Sequence, residues 1–181
     1  VYFCPKDSLF SKLKDGQQPK VMVVACSDSR VDPAILLGCE PGDIFVVRNV
    51  ASLVPPYEST PGLHGVSAAL EYAVKHLEVE HIIILGHSCC GGIGALMSSS
   101  RKPVGEFITP WVKVAEEALD RLDAFPEKVE KADAKACEQA SVLVSLKNLL
   151  SFPWIKERVS GKKLRVYGWY FDLEHGDLSE Y

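Results

Sequence analysis

The sequence contains no apolar run approaching the roughly 18 residues that a membrane span needs. Its longest apolar stretches are short ones, such as Val21 to Cys26 and Ile82 to Gly86. It also lacks an excess of positive charge. Lysine and arginine number 20 against 24 acidic residues, for a net charge of −4, so no basic field is available to hold a phosphate backbone. A soluble protein with neither a nucleic-acid nor a membrane partner is expected. No repeat, linker or low-complexity segment divides the 181 residues, 47% of them hydrophobic. One domain spanning residues 1–181 with its own core is expected. The first residues show no basic-then-apolar leader.

Nor does a chain of this length and apolar content require disulfide staples, although Cys4, Cys26, Cys39, Cys89, Cys90 and Cys137 could form three. A reducing intracellular compartment is expected, the cytoplasm first and the chloroplast second. Thiols kept free there are often metal ligands or nucleophiles. Two phosphate-binding patterns are also missing. Gly91-Gly92 is accompanied by neither a Lys-Ser/Thr step nor the three-glycine fingerprint. The residues between Cys26 and Arg30 are too few for the phosphate loop of a thiol phosphatase.

What is present is an alternation of apolar runs and helical patterns. Asp7 to Asp15 reads as a short helix stopped by Gly16, and Pro19 leads into a strand over Val21 to Ala25. Pro33 opens a helical turn to Leu37, and Ile44 to Val47 reads as a second strand. Val66, Ala69, Leu70, Ala73 and Leu77 share one face of a helix, and Ile82 to Gly86 reads as a third strand. Helical patterns run from Phe107 to Phe125 and from Lys128 to Leu150, with a corner at Pro126. Leu164 to Asp172 reads as a last strand, with a short hairpin to Tyr181. Strands apolar without alternation are buried on both faces. The expected fold is α/β, three-layered, with a mostly parallel central sheet flanked by helices.

In such sheets ligands gather beyond the carboxyl ends of the strands. Cys26 and His87 each follow an apolar run there, and Cys90 lies three residues beyond His87. Zinc accepts this donor set, and three protein ligands leave its fourth position for water, as catalytic zinc does. Spacing alone leaves Cys89 and Cys90 both open as the third ligand. Two thiolates cancel the charge of the ion, so its water should ionise above about pH 7, and activity should rise toward alkaline pH. Asp28 and Arg30 follow Cys26 at steps of two. Asp28 can hold a zinc-bound hydroxide by a hydrogen bond, or it can bind zinc and shut the site; a forked pair with Arg30 biases it toward the first role.

These residues resemble the β-class carbonic anhydrases in their plant and algal form. Cys26-Ser27-Asp28-Ser29-Arg30 and His87-Ser88-Cys89-Cys90-Gly91-Gly92 match the two principal motifs of that family, and Phe45-Val46-Val47-Arg48-Asn49 and Glu71-Tyr72-Ala73-Val74 fit as well. The resemblance implies reversible hydration of carbon dioxide to bicarbonate and a proton, with one zinc ion per subunit on Cys26, His87 and Cys90. The motif's three-residue step selects Cys90, and Cys89 is read as a small buried residue. Asp28 and Arg30 become the catalytic dyad. Gln17, Phe45, Val50, Tyr72 and Gly91 line the substrate pocket, and His76 passes the proton outward. The pocket is implied to lie at a homodimer interface. Further association of dimers is expected through the last strand, whose Trp169, Tyr170 and Phe171 would otherwise stand at an open edge. Asp32 replaces a cysteine common in plant relatives. Two other readings share these residues: hydrolysis of carbon disulfide or carbonyl sulfide, and a non-catalytic zinc or redox module closed by Asp28.

Overall fold

Among the described residues, five strands form one sheet: β1 (Val21–Cys26), β2 (Ile44–Asn49), β3 (His81–His87), β4 (Arg165–Asp172) and β5 (Asp177–Glu180). They were located in a computed structural model that describes residues 9–60, 62–99, 103–123 and 132–181. The strand order is β2-β1-β3-β4-β5. The first four strands are parallel, and β5 returns antiparallel to β4. The helices are α1 (Leu9–Leu13), α2 (Pro33–Leu37), α3 (Gly65–Glu71), α4 (Gly91–Ser99), α5 (Ile108–Val112), α6 (Glu117–Asp123), α7 (Ala132–Leu149) and α8 (Pro153–Ser160).

Alternate residues of β1 and β3 serve the two faces, and both faces are covered. Met22, Val24, Ile82 and Ile84 pack with Leu70, Val142, Leu149 and Ile155, drawn from α3, α7 and α8. Val23, Ala25, Ile83 and Leu85 form the other face, with Leu36 and Leu37 of α2 packed against it. This explains why the runs are continuously apolar and confirms the three-layer α/β expectation. Close seating of α7 on the sheet depends on Gly86, where an added Cβ would stand 2.5 Å from Val142 Cγ2. A valine on a helix has little rotamer freedom with which to yield.

A third apolar cluster lies around the carboxyl ends of the strands. It includes Cys26, Ala51, Cys90, Ile93, Leu96, Val112, Ala115 and Cys137. Because β1 pairs with β2 on one side and β3 on the other, the chain order reverses at this point, and a crevice opens between the loops.

Several expectations need correction. Strands β1 and β3 run one residue further than their apolar cores, because the ladder continues through Cys26↔Asn49 and His87↔Phe171. The helix read to Leu77 changes at Tyr72–His76 into a π-helical turn, which buries Val74 beside Ala73. The pattern from Phe107 is broken by a 3-10 turn at Lys113–Ala115, while helix α8 was not read at all. The last strand is not an edge: β5 covers it, leaving Leu178 and Tyr181 as the exposed apolar residues there. Pro126, residues 128–131 and residues 7–8 lie outside the described residues.

Candidate metal centre

Cys26 and His87 are the last residues of neighbouring parallel strands, so the sheet itself brings them together. Cys90 joins them from the turn that precedes α4. That turn is closed by Cys89 in a left-handed conformation, φ 56°. The ligand atoms of the three residues all lie within 4.8 Å of one another. Cys26 Sγ and Cys90 Sγ are 4.0 Å apart, too far for a disulfide but close to the about 3.8 Å that two 2.3 Å zinc–sulfur bonds subtend at the tetrahedral angle.

The histidine supplies the clearest test of fit. His87 Nδ1 lies 2.9 Å from the Ser88 carbonyl and is therefore the protonated nitrogen. Nε2 is left as a buried lone pair with no hydrogen-bond partner. Such an orphan carries a desolvation penalty that a metal ion would remove. The thiols point the same way. The Cys90 contact, followed by His87, holds Cys26 far below an ordinary thiol despite its burial, while the same contact and burial push Cys90 up. Burial opposes a charge on His87, but the nearby Cys26 sulfur and the Ser88 carbonyl outweigh it and raise the imidazole. The residues present therefore fit a metal ion that takes two thiolates and one imidazole.

Asp28 is not one of this group and pairs instead with Arg30. Arg30 Nε and Nη2 donate to its two carboxylate oxygens at 2.9 and 2.7 Å, and the Arg30 amide adds a third bond of 2.9 Å. The hydrogen bonds from Arg30 hold the Asp28 carboxyl well below the usual carboxylate range. Arg30 Nη2 also donates to the Cys89 carbonyl at 3.0 Å, which links the two motif loops. Cys89 itself is exposed, which corrects the expectation of a small buried residue. Its role in the loop is backbone: it supplies the left-handed turn and the acceptor for Arg30.

The residues assigned to the substrate pocket fall into two sets. Val50 and Gly91 lie with Cys26, His87 and Cys90. Val50 Cγ1 abuts Gly92, and the position of a Cβ on Gly91 faces open space. The turn bearing Val50 is built on a left-handed Ala51, φ 67°. Asn49 bridges that turn through bonds to the Leu53 amide and carbonyl, and Trp111 Nε1 donates to the Val50 carbonyl. Phe45 pairs with Met22, four residues before Cys26 in the register and so about 13 Å away at about 3.3 Å per residue. Tyr72 stacks on His76 at 5.4 Å and lies 5.9 Å from Phe45. Gln17 and His76 line a groove of about 710 Å³ at the amino ends of the strands, with Lys20, Glu80, Arg158 and Arg165. Within one chain, then, Gln17, Phe45, Tyr72 and His76 are not brought to the metal group.

Three supporting residues escaped the sequence reading. Glu138, buried on α7, accepts from the Cys90 amide at 2.9 Å through one oxygen and from the buried Tyr170 hydroxyl at 2.7 Å through the other. Burial, then this carboxylate, push the Tyr170 phenol up, keeping it a donor. The only trace of this arrangement in sequence is an acidic residue between buried positions of an apolar helical stripe. The third, Asp32, caps α2 by accepting from the Ala34 and Ile35 amides and also pairs with Arg48. The signal was an aspartate directly before a helix-opening proline.

The comparisons agree with this geometry. The carbonic anhydrase family profile matches residues 21–178. The chain is 44% identical over 166 residues to β carbonic anhydrase 5, chloroplastic, of Arabidopsis thaliana; the match covers 91% of this chain and 54% of that protein, so the chain spans about half the length of that relative. The solved β-carbonic anhydrase CcaA superposes with a TM-score of 0.89 at 35% identity, covering 96% of this chain and 78% of its own. A tetrameric β-carbonic anhydrase of Sordaria macrospora superposes at 0.81 and 35%, covering 95% and 85%. A Cys-His-Cys group at the switch point of a parallel sheet and a profile match over most of the chain lead to one conclusion: the chain belongs to the carbonic anhydrase family, in its β class.

Proposed function

We propose that the protein catalyses the reversible hydration of carbon dioxide to bicarbonate and a proton, with one zinc ion per subunit held by Cys26, His87 and Cys90. The observation that carries this reading is the buried, unpartnered Nε2 of His87 between two thiols, with Asp28 turned to Arg30. Zinc bound there supplies the Lewis acidity that makes water a nucleophile near or above neutral pH. Asp28 accepts a hydrogen bond from the attacking oxygen and aims its lone pair at the carbon of carbon dioxide, and Arg30 holds Asp28 in place for that task. Val50 offers an apolar contact to a small apolar substrate. The oxygen bonds to carbon, bicarbonate leaves, and the proton passes to buffer, a route we assign to His76.

The pairing of Asp28 with Arg30 favours this reading over a zinc module closed by Asp28. Stopped-flow hydration assays of the zinc-loaded protein test it. Because Asp28 is held well below the carboxylate range, it stays ionised throughout and contributes no acid limb. The hydration kcat/KM should therefore follow the nucleophile alone and rise from about pH 7 to about pH 9, since two thiolates leave the ion a weaker acid than three imidazoles do. A flat or falling profile contradicts the proposal.

We further infer a homodimer with a shared pocket. The separation of Gln17, Phe45 and Tyr72 from the metal ligands of their own chain supports it, because a second copy can bring its set against the first copy's metal. The Gln17 amide could then donate to a bicarbonate-like oxygen. Sedimentation at micromolar concentration should show at least a dimer, and a monomer would rule out the shared pocket. A tetramer, as in the Sordaria relative, is compatible with it. The free state of the five described cysteines supports a reducing compartment.

A further inference from the structure

At the carboxyl end of β1, three oxygens converge on one guanidinium. Arg48 donates from Nε to the Cys26 carbonyl at 2.9 Å, from Nη2 to the Asp28 carbonyl at 2.6 Å, and from Nη1 to Asp32 Oδ2 at 2.9 Å. The other oxygen of Asp32 accepts from the Ala34 and Ile35 amides at 3.0 and 3.3 Å. A single carboxylate thus ties the first turn of α2 to Arg48, and Arg48 grips the main chain on both sides of Ser27. Asp28 departs from this gripped segment. Its carboxylate is fixed by Arg30, but the position of its backbone is fixed by Arg48.

We propose that Asp32 and Arg48 are a positioning pair, which holds the Asp28 main chain so that its carboxylate stays with Arg30 and away from the Cys26–His87–Cys90 group. The proposal rests on the reading of Asp28 given above and extends it to two residues that touch neither substrate nor metal. The pair is not there for stability. The side chains of Arg48 and Asp32 are 29% and 40% exposed, and ion pairs so open to water contribute little. What Arg48 offers instead is a rigid fork with three directed bonds, which lysine cannot reproduce. Positioning and stability are therefore separable by substitution.

Asp32→Ser retains a short acceptor for the α2 amides but loses the charge and the reach to Arg48. In zinc-loaded Asp32→Ser, the hydration kcat/KM should fall about tenfold, the scale on which displacement of a reacting group is felt, while the thermal midpoint stays near that of the parent. Asp32→Glu, which keeps a charged carboxylate with two acceptor oxygens to pair with Arg48, should restore most of the rate. In an Asp28→Asn background, Asp32→Ser should change the rate less than about twofold, because the carboxylate it would misplace is already gone. Equal falls in both backgrounds overturn the positioning role. A crystal structure of zinc-loaded Asp32→Ser gives a readout free of turnover. Asp28 parted from Arg30 is the expected result, and an undisturbed Asp28–Arg30 fork overturns the proposal whatever the rates. If Asp28→Asn alone keeps the parent rate, the catalytic reading of Asp28 fails, and the crystal structure still decides whether Asp32 and Arg48 position it.

Discussion

Serine in place of Cys90 should leave the purified protein largely without zinc and reduce carbon dioxide hydration to the uncatalysed background. The argument is one of donor chemistry and distance. A serine hydroxyl does not ionise as a thiol does and binds zinc weakly, and of the three grouped residues Cys26 and His87 alone would then remain, among the described residues, to share the ion. The loss should exceed the about 10- to 100-fold that follows removal of a supporting residue. Zinc content after dialysis, read by atomic emission, checks it. The fold should survive, because Glu138 holds the backbone amide of residue 90 and not its side chain; circular dichroism should match the parent. Cys89→Ser is the companion variant and should keep its full complement of zinc, since that thiol is exposed. Full zinc in Cys90→Ser, or loss of zinc in Cys89→Ser, would reverse the assignment of the adjacent cysteines.

Asparagine in place of Asp28 should lower kcat/KM about 10²- to 10³-fold with zinc content unchanged, the usual scale for losing a group that holds the reacting oxygen. The substitution preserves shape and removes charge. Arg30 donates to both carboxylate oxygens, and an amide can present an oxygen to only one of its nitrogens. The amide NH₂ must then face either a guanidinium or the attacking oxygen, and it is a donor where an acceptor is needed. Stopped-flow rates on metal-loaded protein, normalised to zinc, give the measurement. A rate within a factor of about two of the parent would remove Asp28 from the mechanism.

The sheet and the convergence of Cys26, His87 and Cys90 were legible in the sequence for the same reason. A strand buried on both faces must be continuously apolar, and the first polar residue after it marks the crevice, as Cys26 and His87 do. Elements whose cause lies elsewhere in the chain were not legible. The π-helical turn at Tyr72–His76 leaves the helical pattern intact apart from a one-residue shift. Helix α8 carries polar residues such as Lys156 and Glu157 around few apolar ones, and only its opening proline announced it. Glu138 reads as one more acidic residue on a helix until β4 supplies Tyr170 and the motif loop supplies the Cys90 amide. Asp32 looked unexplained because its partner, Arg48, is 16 residues away, on β2. Cys89 misled because its residue type favours burial, whereas the turn needed a left-handed backbone and placed the thiol outside.

The parallel pairing of β1 with β3 has a further consequence for the metal group. Neighbouring strands stand about 4.8 Å apart because peptide hydrogen bonds require that spacing, and Cys26 and His87 end two such neighbours. The separation of these two donors is therefore gauged by the backbone, much as the teeth of a comb fix a gap, and side-chain packing in the flanking layers has little hold on it. Repacking Leu70, Leu149 or Ile155 can weaken the domain as a whole, yet while the sheet persists the bite offered to the ion should remain the same.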